Sequence, residues 1–165
     1  MLIDKFKTNL GKSSRGGETL YDHTMDCVKV AHKVLTDSRL VPADYPRHKR
    51  DQLLFSMFIH DVGKLDQNFQ AMLQHAATHA NLNGFKGKKV KHEASTLDFE
   101  NLVRDTQEEV MEHSYSVLGY RFSSPVNFDD ALAFAVSHHG LFYLSFEMRN
   151  GQEVHRIRRE WTLFN

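Results

Sequence analysis

The apolar run Phe55-Ser56-Met57-Phe58-Ile59 stops abruptly at His60 and Asp61, and Val62-Gly63-Lys64 follows. An apolar stretch buries itself, so the two residues that end it are carried to the rim of a core. An imidazole and a carboxylate held there can bind a divalent metal. Neighbours on a helix point about 100° apart, and a single ion is better served by histidines three or four positions apart. An adjacent pair suits a carboxylate that bridges two metals while its neighbour caps one of them.

The distribution of the other histidines strengthens this reading. Of eleven in the chain, His23, His60, His92 and the pair His138-His139 each stand on or at the end of an apolar helical stripe. As uncoordinated core imidazoles they would each need a hydrogen-bond partner, whereas one metal cluster satisfies them together. His75 and His79 have the i, i+4 spacing of a helical ligand pair, but without an intervening Glu and with Ala-rich flanks they read as a surface pair. His32, His48, His113 and His155 read as surface residues. Asp26, one turn beyond His23, is either a partner orienting that ring or a solvated helical acid. Glu93 either hydrogen-bonds within the site or favours a helix N-terminus.

These residues need helices to position them. Residues 1–17 read as a flexible polar lead-in ending in Gly11-Lys12-Ser13-Ser14-Arg15-Gly16-Gly17. From Thr19, Leu20, His23, Cys27, Val30, Ala31 and Val34 recur at helical spacing and predict a buried stripe. Pro46 suits the first turn of the next helix, which runs through Leu53, Leu54, Met57, Phe58 and Asp61. Asp66 opens another. After a Gly, Asn and Lys loop from Asn81 to Lys91, His92, Ser95, Thr96, Phe99, Leu102 and Val103 form one stripe. Thr106-Gln107-Glu108-Glu109 matches a capping box, and Asn127 caps the helix carrying Phe128, Ala131, Leu132, Ala135, Val136 and His139. Beyond Gly140 the apolar period changes to two, and Asn150-Gly151 predicts a hairpin turn. The expected architecture is a helical domain over residues 18–140 with a β-hairpin over 141–165.

Composition narrows the function classes. Lys plus Arg and Asp plus Glu each number 21, so no overall field recruits a polyanion and any such substrate must be gripped locally. The single cysteine, Cys27, excludes an internal disulfide, fits a reducing compartment and reads as a core residue rather than a nucleophile. No apolar run approaches the roughly 20 residues of a membrane span, and Met1-Leu2-Ile3-Asp4-Lys5 has no signal-peptide layout. A cytoplasmic chain without a membrane partner is expected.

The ordered set His23, His60-Asp61, His92, His138-His139 resembles the HD superfamily of metal-dependent phosphohydrolases. The narrower set His60-Asp61-Val62-Gly63-Lys64, Phe69-Gln70, Lys91-His92-Glu93 and His138-His139-Gly140 resembles the HD nuclease domain of CRISPR interference. That resemblance, over roughly residues 18–142, implies an all-α HD helical bundle. It implies two divalent transition ions (Mn, Ni, Fe or Co, with Mg as the hard alternative): one on His23, His60 and Asp61, the other on Asp61, His92, His138 and His139. Lys64 would stand near the scissile phosphate. It further implies hydrolysis of single-stranded DNA in partnership with an interference helicase or effector complex. The alternatives are a phosphohydrolase of nucleotides or cyclic nucleotides, and a degraded HD domain serving in binding or assembly. The family carries a further Asp well after the His-His pair. Here no Asp follows His139, only Glu147, Glu153 and Glu160, so a glutamate substitutes, the chain stops short of that element, or the first site is incomplete. Lys86, Lys88, Lys89 and Lys91, with Phe85, either guide a single strand to the metals or form a solubilising loop. Arg156, Arg158 and Arg159 form a second basic cluster.

Overall fold

The computed structural model describes residues 1–13, 17–140 and 142–159. It is a helical bundle with a C-terminal β-hairpin, as the periodicity predicts. The lead-in, however, is part of the core. Helix α1 (Leu2–Thr8) buries Leu2, Ile3 and Phe6. Its free N-terminal N–H groups are met from across the fold, where Leu2 N and Ile3 N donate to the Glu109 carboxylate at 2.8 and 3.2 Å. Two short strands follow, β1 (Leu10–Lys12) and β2 (Glu18–Thr19), paired antiparallel with Leu10 opposite Thr19.

Thr19 caps α2 (Leu20–Thr36) by accepting from Asp22 N. The buried face of α2 is Leu20, Thr24, Met25, Val28 and Leu35, rotated from the expected stripe; Val30 is 64% exposed. The rotation leaves His23 and Cys27 half-buried at the edge of that face rather than inside it. Helix α3 (Arg47–Ile59) supplies the centre of the core with Leu54, Phe55, Phe58 and Ile59, and Pro46 is its N-cap rather than its first-turn residue. The helix ends before Asp61, which opens a 3-10 turn over Val62–Leu65. Asp66 then caps α4 (Gln67–His79), accepting from Phe69 N at 2.9 Å.

The expected continuous stripe from His92 to Val103 is broken into α5 (His92–Ser95), a 3-10 turn (Thr96–Phe99) and α6 (Glu100–Asp105). The capping box does not form either: Thr106 Oγ1 donates back to Leu102 O at 2.7 Å instead of accepting from the first turn of α7 (Gln107–Leu118). Asn127 does cap α8 (Phe128–Ser137), accepting from Asp129 N and Asp130 N. Strands β3 (Phe142–Arg149) and β4 (Gln152–Arg159) pair in register, Leu144 opposite Ile157, around Asn150 and Gly151, both at positive φ (51° and 78°). His155 is not a free surface residue. It pins the hairpin to the bundle, with Nδ1 3.0 Å from Glu100 and Nε2 3.4 Å from Asp129. His113 is likewise half-buried, 3.0 Å from Tyr21 Oη and edge-on to Phe58. Among the described residues no helix is long and apolar enough to cross a membrane.

A buried carboxylate ties the loop after α7 to α3. Asp51, 0% exposed, accepts from Tyr120 Oη at 2.7 Å, Ser123 N at 3.0 Å and Ser123 Oγ at 2.6 Å. Burial opposes its charge, but the hydrogen bonds from Ser123 and Tyr120 prevail and hold its pKa below the ordinary 3.8. A carboxylate with a depressed folded pKa contributes stability that is complete above its unfolded value and is lost as pH falls through the folded one. Asp51→Ala is therefore expected to cost about 2–3 kcal/mol near neutrality, measured by urea unfolding. The gap from the unmutated chain should narrow as the pH is taken below 3.8.

Candidate metal centre

Four elements converge on Asp61, which is 1% exposed. Its Oδ2 lies 2.9 Å from His23 Nε2 of α2, 3.2 Å from His60 Nε2 and 2.7 Å from Lys64 Nζ. Its Oδ1 lies 3.0 Å from His92 Nε2 of α5 and 3.5 Å from His138 Nε2 at the end of α8. The carboxylate thus divides the imidazoles into two groups, one per oxygen. His139 joins the Oδ1 group from the solvent side.

Helix ends aim two of the rings. The last carbonyls of a helix lack intrahelical partners, and a histidine just past the end can donate to one of them. His60 Nδ1 donates to Met57 O at 2.7 Å, and His138 Nδ1 to Ala135 O at 2.8 Å. Each bond fixes the ring and turns Nε2 toward Asp61, the arrangement by which an outer partner orients a metal-binding histidine. His92 is wedged between the edge of Phe69, 5.1 Å away, and Glu93, whose Oε2 lies 3.5 Å from His92 Nδ1. Glu93 is buried in the first turn of α5 beside His92, and its Oε2 has no hydrogen-bond partner among the described residues. Asp26 is exposed and pairs loosely with Lys29, the solvated reading.

Close backbone approach completes the geometry. A Cβ on Gly63 would stand 1.8 Å from His92 O, so only glycine lets the Val62–Leu65 turn touch α5 and bring Asp61 beside His92. Gln70 stitches this turn to β1, accepting from Leu10 N at 2.9 Å and donating to Leu10 O and Lys64 O at 2.9 and 2.7 Å. Lys64 is buried, not solvated, and also donates to Gly11 O at 3.0 Å.

The electrostatics are strongly coupled. Burial works against ionisation of Asp61, but the imidazoles of His138, His23, His60 and His92 gathered around it hold it far below the usual carboxylate range. Burial likewise opposes a charge on His60, yet the Asp61 carboxylate and the Cys27 sulfur raise it to about 9. His139 is lowered, first by burial and then by its histidine neighbours.

The residues present fit a divalent cation. Asp61 Oδ1 is buried with no hydrogen bond of acceptable geometry among the described residues, although three imidazoles face it. Its ligand atom and those of His92, His138 and His139 lie within 4.8 Å of one another. Sequence reasoning named every residue of this group, and the structure brings all of them together. It missed Cys27, whose sulfur lies within 4.8 Å of ligand nitrogens of His23 and His60; the i, i+4 spacing from His23 was the available signal. The described glutamates after His139 do not join: Glu147 pairs with Arg156 and Arg158 on the hairpin and Glu153 is exposed, while Glu160 lies outside the described residues. His75, half-buried, and His79, exposed, stack on each other at 4.2 Å.

A family model described as "Cas3, HD domain" matches residues 7–163. No curated protein and no solved structure matches the chain.

Because a Cβ at position 63 meets main chain rather than a flexible side chain, Gly63→Ala should destabilise the fold by about 2–3 kcal/mol. Urea denaturation checks this, and a loss under 0.5 kcal/mol or so would show that the turn and α5 do not need their close approach.

Proposed function

The chain belongs to the Cas3 HD-domain family, and on that premise we propose that it is a metal-dependent nuclease domain of CRISPR interference that hydrolyses phosphodiester bonds in single-stranded DNA. The observation that carries the reading is the buried Asp61 carboxylate with imidazoles on each of its two oxygens. His23, His60 and Asp61 would hold one divalent ion, and Asp61, His92, His138 and His139 would hold the second. When bound, two such ions supply an activated water and a Lewis acid for the leaving oxygen. The imidazole-rich donor set favours Mn, Fe, Co or Ni over Mg.

The chain's own residues do the rest. Asp61 fixes the separation of the two half-sites. Lys64 has three N–H donors, of which Asp61 and Gly11 O take two; the third is left for a phosphate oxygen as charge develops on it. A cleft lined by Phe69, Met72, Lys89 and Lys91 opens onto His92 and His139, and its paired cations and apolar floor suit a flexible single strand. Phe85 packs beside His75 and over Gly87. With basic and acidic residues balanced, delivery of DNA falls to an interference helicase or effector complex.

Metal analysis of chain reconstituted with Mn or Ni should find one to two ions per molecule. Circular single-stranded DNA should be opened by the loaded chain and left intact by Asp61→Ala, whose folding is checked by circular dichroism. Release of phosphate from free nucleotides with intact circles would move the chain to nucleotide hydrolysis. A folded chain that takes up no ion would make it a binding or assembly module. Lys89→Glu with Lys91→Glu should lower single-strand affinity and reduce the log–log salt slope by about 0.7 per lysine. An unchanged slope in a salt titration would remove the cleft from the DNA path.

A further inference from the structure

The two half-sites differ in chemistry. The Oδ1 side offers nitrogen and oxygen donors only, whereas on the Oδ2 side the Cys27 sulfur lies within 4.8 Å of ligand nitrogens of both His23 and His60. Two donors on one ion stand at most about 4.4 Å apart, given metal–nitrogen and metal–sulfur bonds of about 2.0–2.3 Å. Donors spread around a tetrahedral ion with such bonds stand about 3.5 Å apart, so the three atoms reach a common shell after side-chain shifts of about an ångström. Backbone geometry accounts for the placement. His23 and Cys27 are one turn apart on α2, and His60 is held facing them by its bond to Met57 O. Asp61 Oδ2 lies against the same two rings, 2.9 Å from His23 Nε2 and 3.2 Å from His60 Nε2. Cys27 forms no disulfide and is half-buried, and its sulfur interacts with the His60 ring.

We propose that Cys27 is a metal ligand, completing a His23, Cys27, His60 and Asp61 site of the composition that takes a thiophilic divalent ion such as Zn, Co or Fe(II). The centre is then asymmetric, with a sulfur-bearing position beside an imidazole–carboxylate position. The thiol binds as thiolate, so each ion taken up there releases the Cys27 proton to solvent. A thiolate donor disfavours Mg and Mn at that position, because hard ions select oxygen. This rests on the two-metal reading above.

The full chain loaded with Co(II) should show a thiolate-to-cobalt charge-transfer band in the near ultraviolet. Loaded with Zn, X-ray absorption should show one sulfur at about 2.3 Å. Cys27→Ser should abolish both signatures while leaving the far-ultraviolet circular dichroism unchanged, and should weaken binding at one of two sites roughly 10–100-fold. The sulfur signature should survive His139→Ala, which touches only the other half-site. A metal-loaded chain whose ions see only nitrogen and oxygen overturns the Cys27 assignment and leaves the two-metal reading standing. A sulfur signature that persists in Cys27→Ser also overturns it. A folded chain that binds neither Co(II) nor Zn overturns both.

Discussion

One buried negative charge organises this molecule. Asp61 is 1% exposed, and taking a carboxylate out of water costs several kcal/mol even after the surroundings relax. A single ion pair would not offset that. Asp61 instead gathers Lys64 and four imidazoles, drawn from α2, the end of α3, α5 and the end of α8. Each helix must arrive at its own angle for its ring to reach, so the condition that solvates the charge from within also fixes how the bundle is assembled.

The devices that meet this condition are local and short. Two rings are aimed by helix-terminal carbonyls, which need partners in any case. The apolar face of α3 holds the end of that helix at the core, and the chain then tightens into a 3-10 turn that returns Lys64 to the carboxylate one turn later. Gly63 leaves out a side chain whose first carbon would collide with the α5 backbone. Gln70 holds β1 against the same turn, so the N-terminal strand lends a carbonyl, Gly11 O, to the site.

What could be read in the sequence follows from this. His60-Asp61 stood out because an apolar run ended on it, and the other histidines because they sat at stripe ends; both are periodicity signals that survive folding. Asp66, Asn127 and the Asn150-Gly151 turn were legible because capping and turn chemistry is local. Helix α1 was not, since seven residues give too few turns for a period to show, and its stability comes from Glu109 more than a hundred positions away. The α2 stripe was misplaced because Val30 and Val34 are apolar yet exposed, and nothing in their spacing marks the side that packs. His113 and His155 looked like surface residues because their partners, Tyr21, Glu100 and Asp129, lie on other elements. Cys27 was assigned to the core because it sat on the expected buried stripe of α2, which hid the meaning of its spacing from His23.

The same burial argument bears on whether the centre works or merely holds the fold together. A buried ion network is a weak source of stability, and apolar residues of similar volume often do as well or better. A domain serving only assembly could fill the space among α2, α3, α5 and α8 with leucine and valine, as it does one turn deeper at Leu54, Phe58 and Leu132. Here the polar residues instead face one another with an acceptor left unmet, Asp61 Oδ1, and with one wall, His139, open to solvent. A group that is expensive to bury, short of donors and accessible from one side is arranged for a cation. The Lys89 and Lys91 cleft leads to that same open side, so the proposed path for a polyanion and the gap in the carboxylate's hydrogen bonding meet at one place.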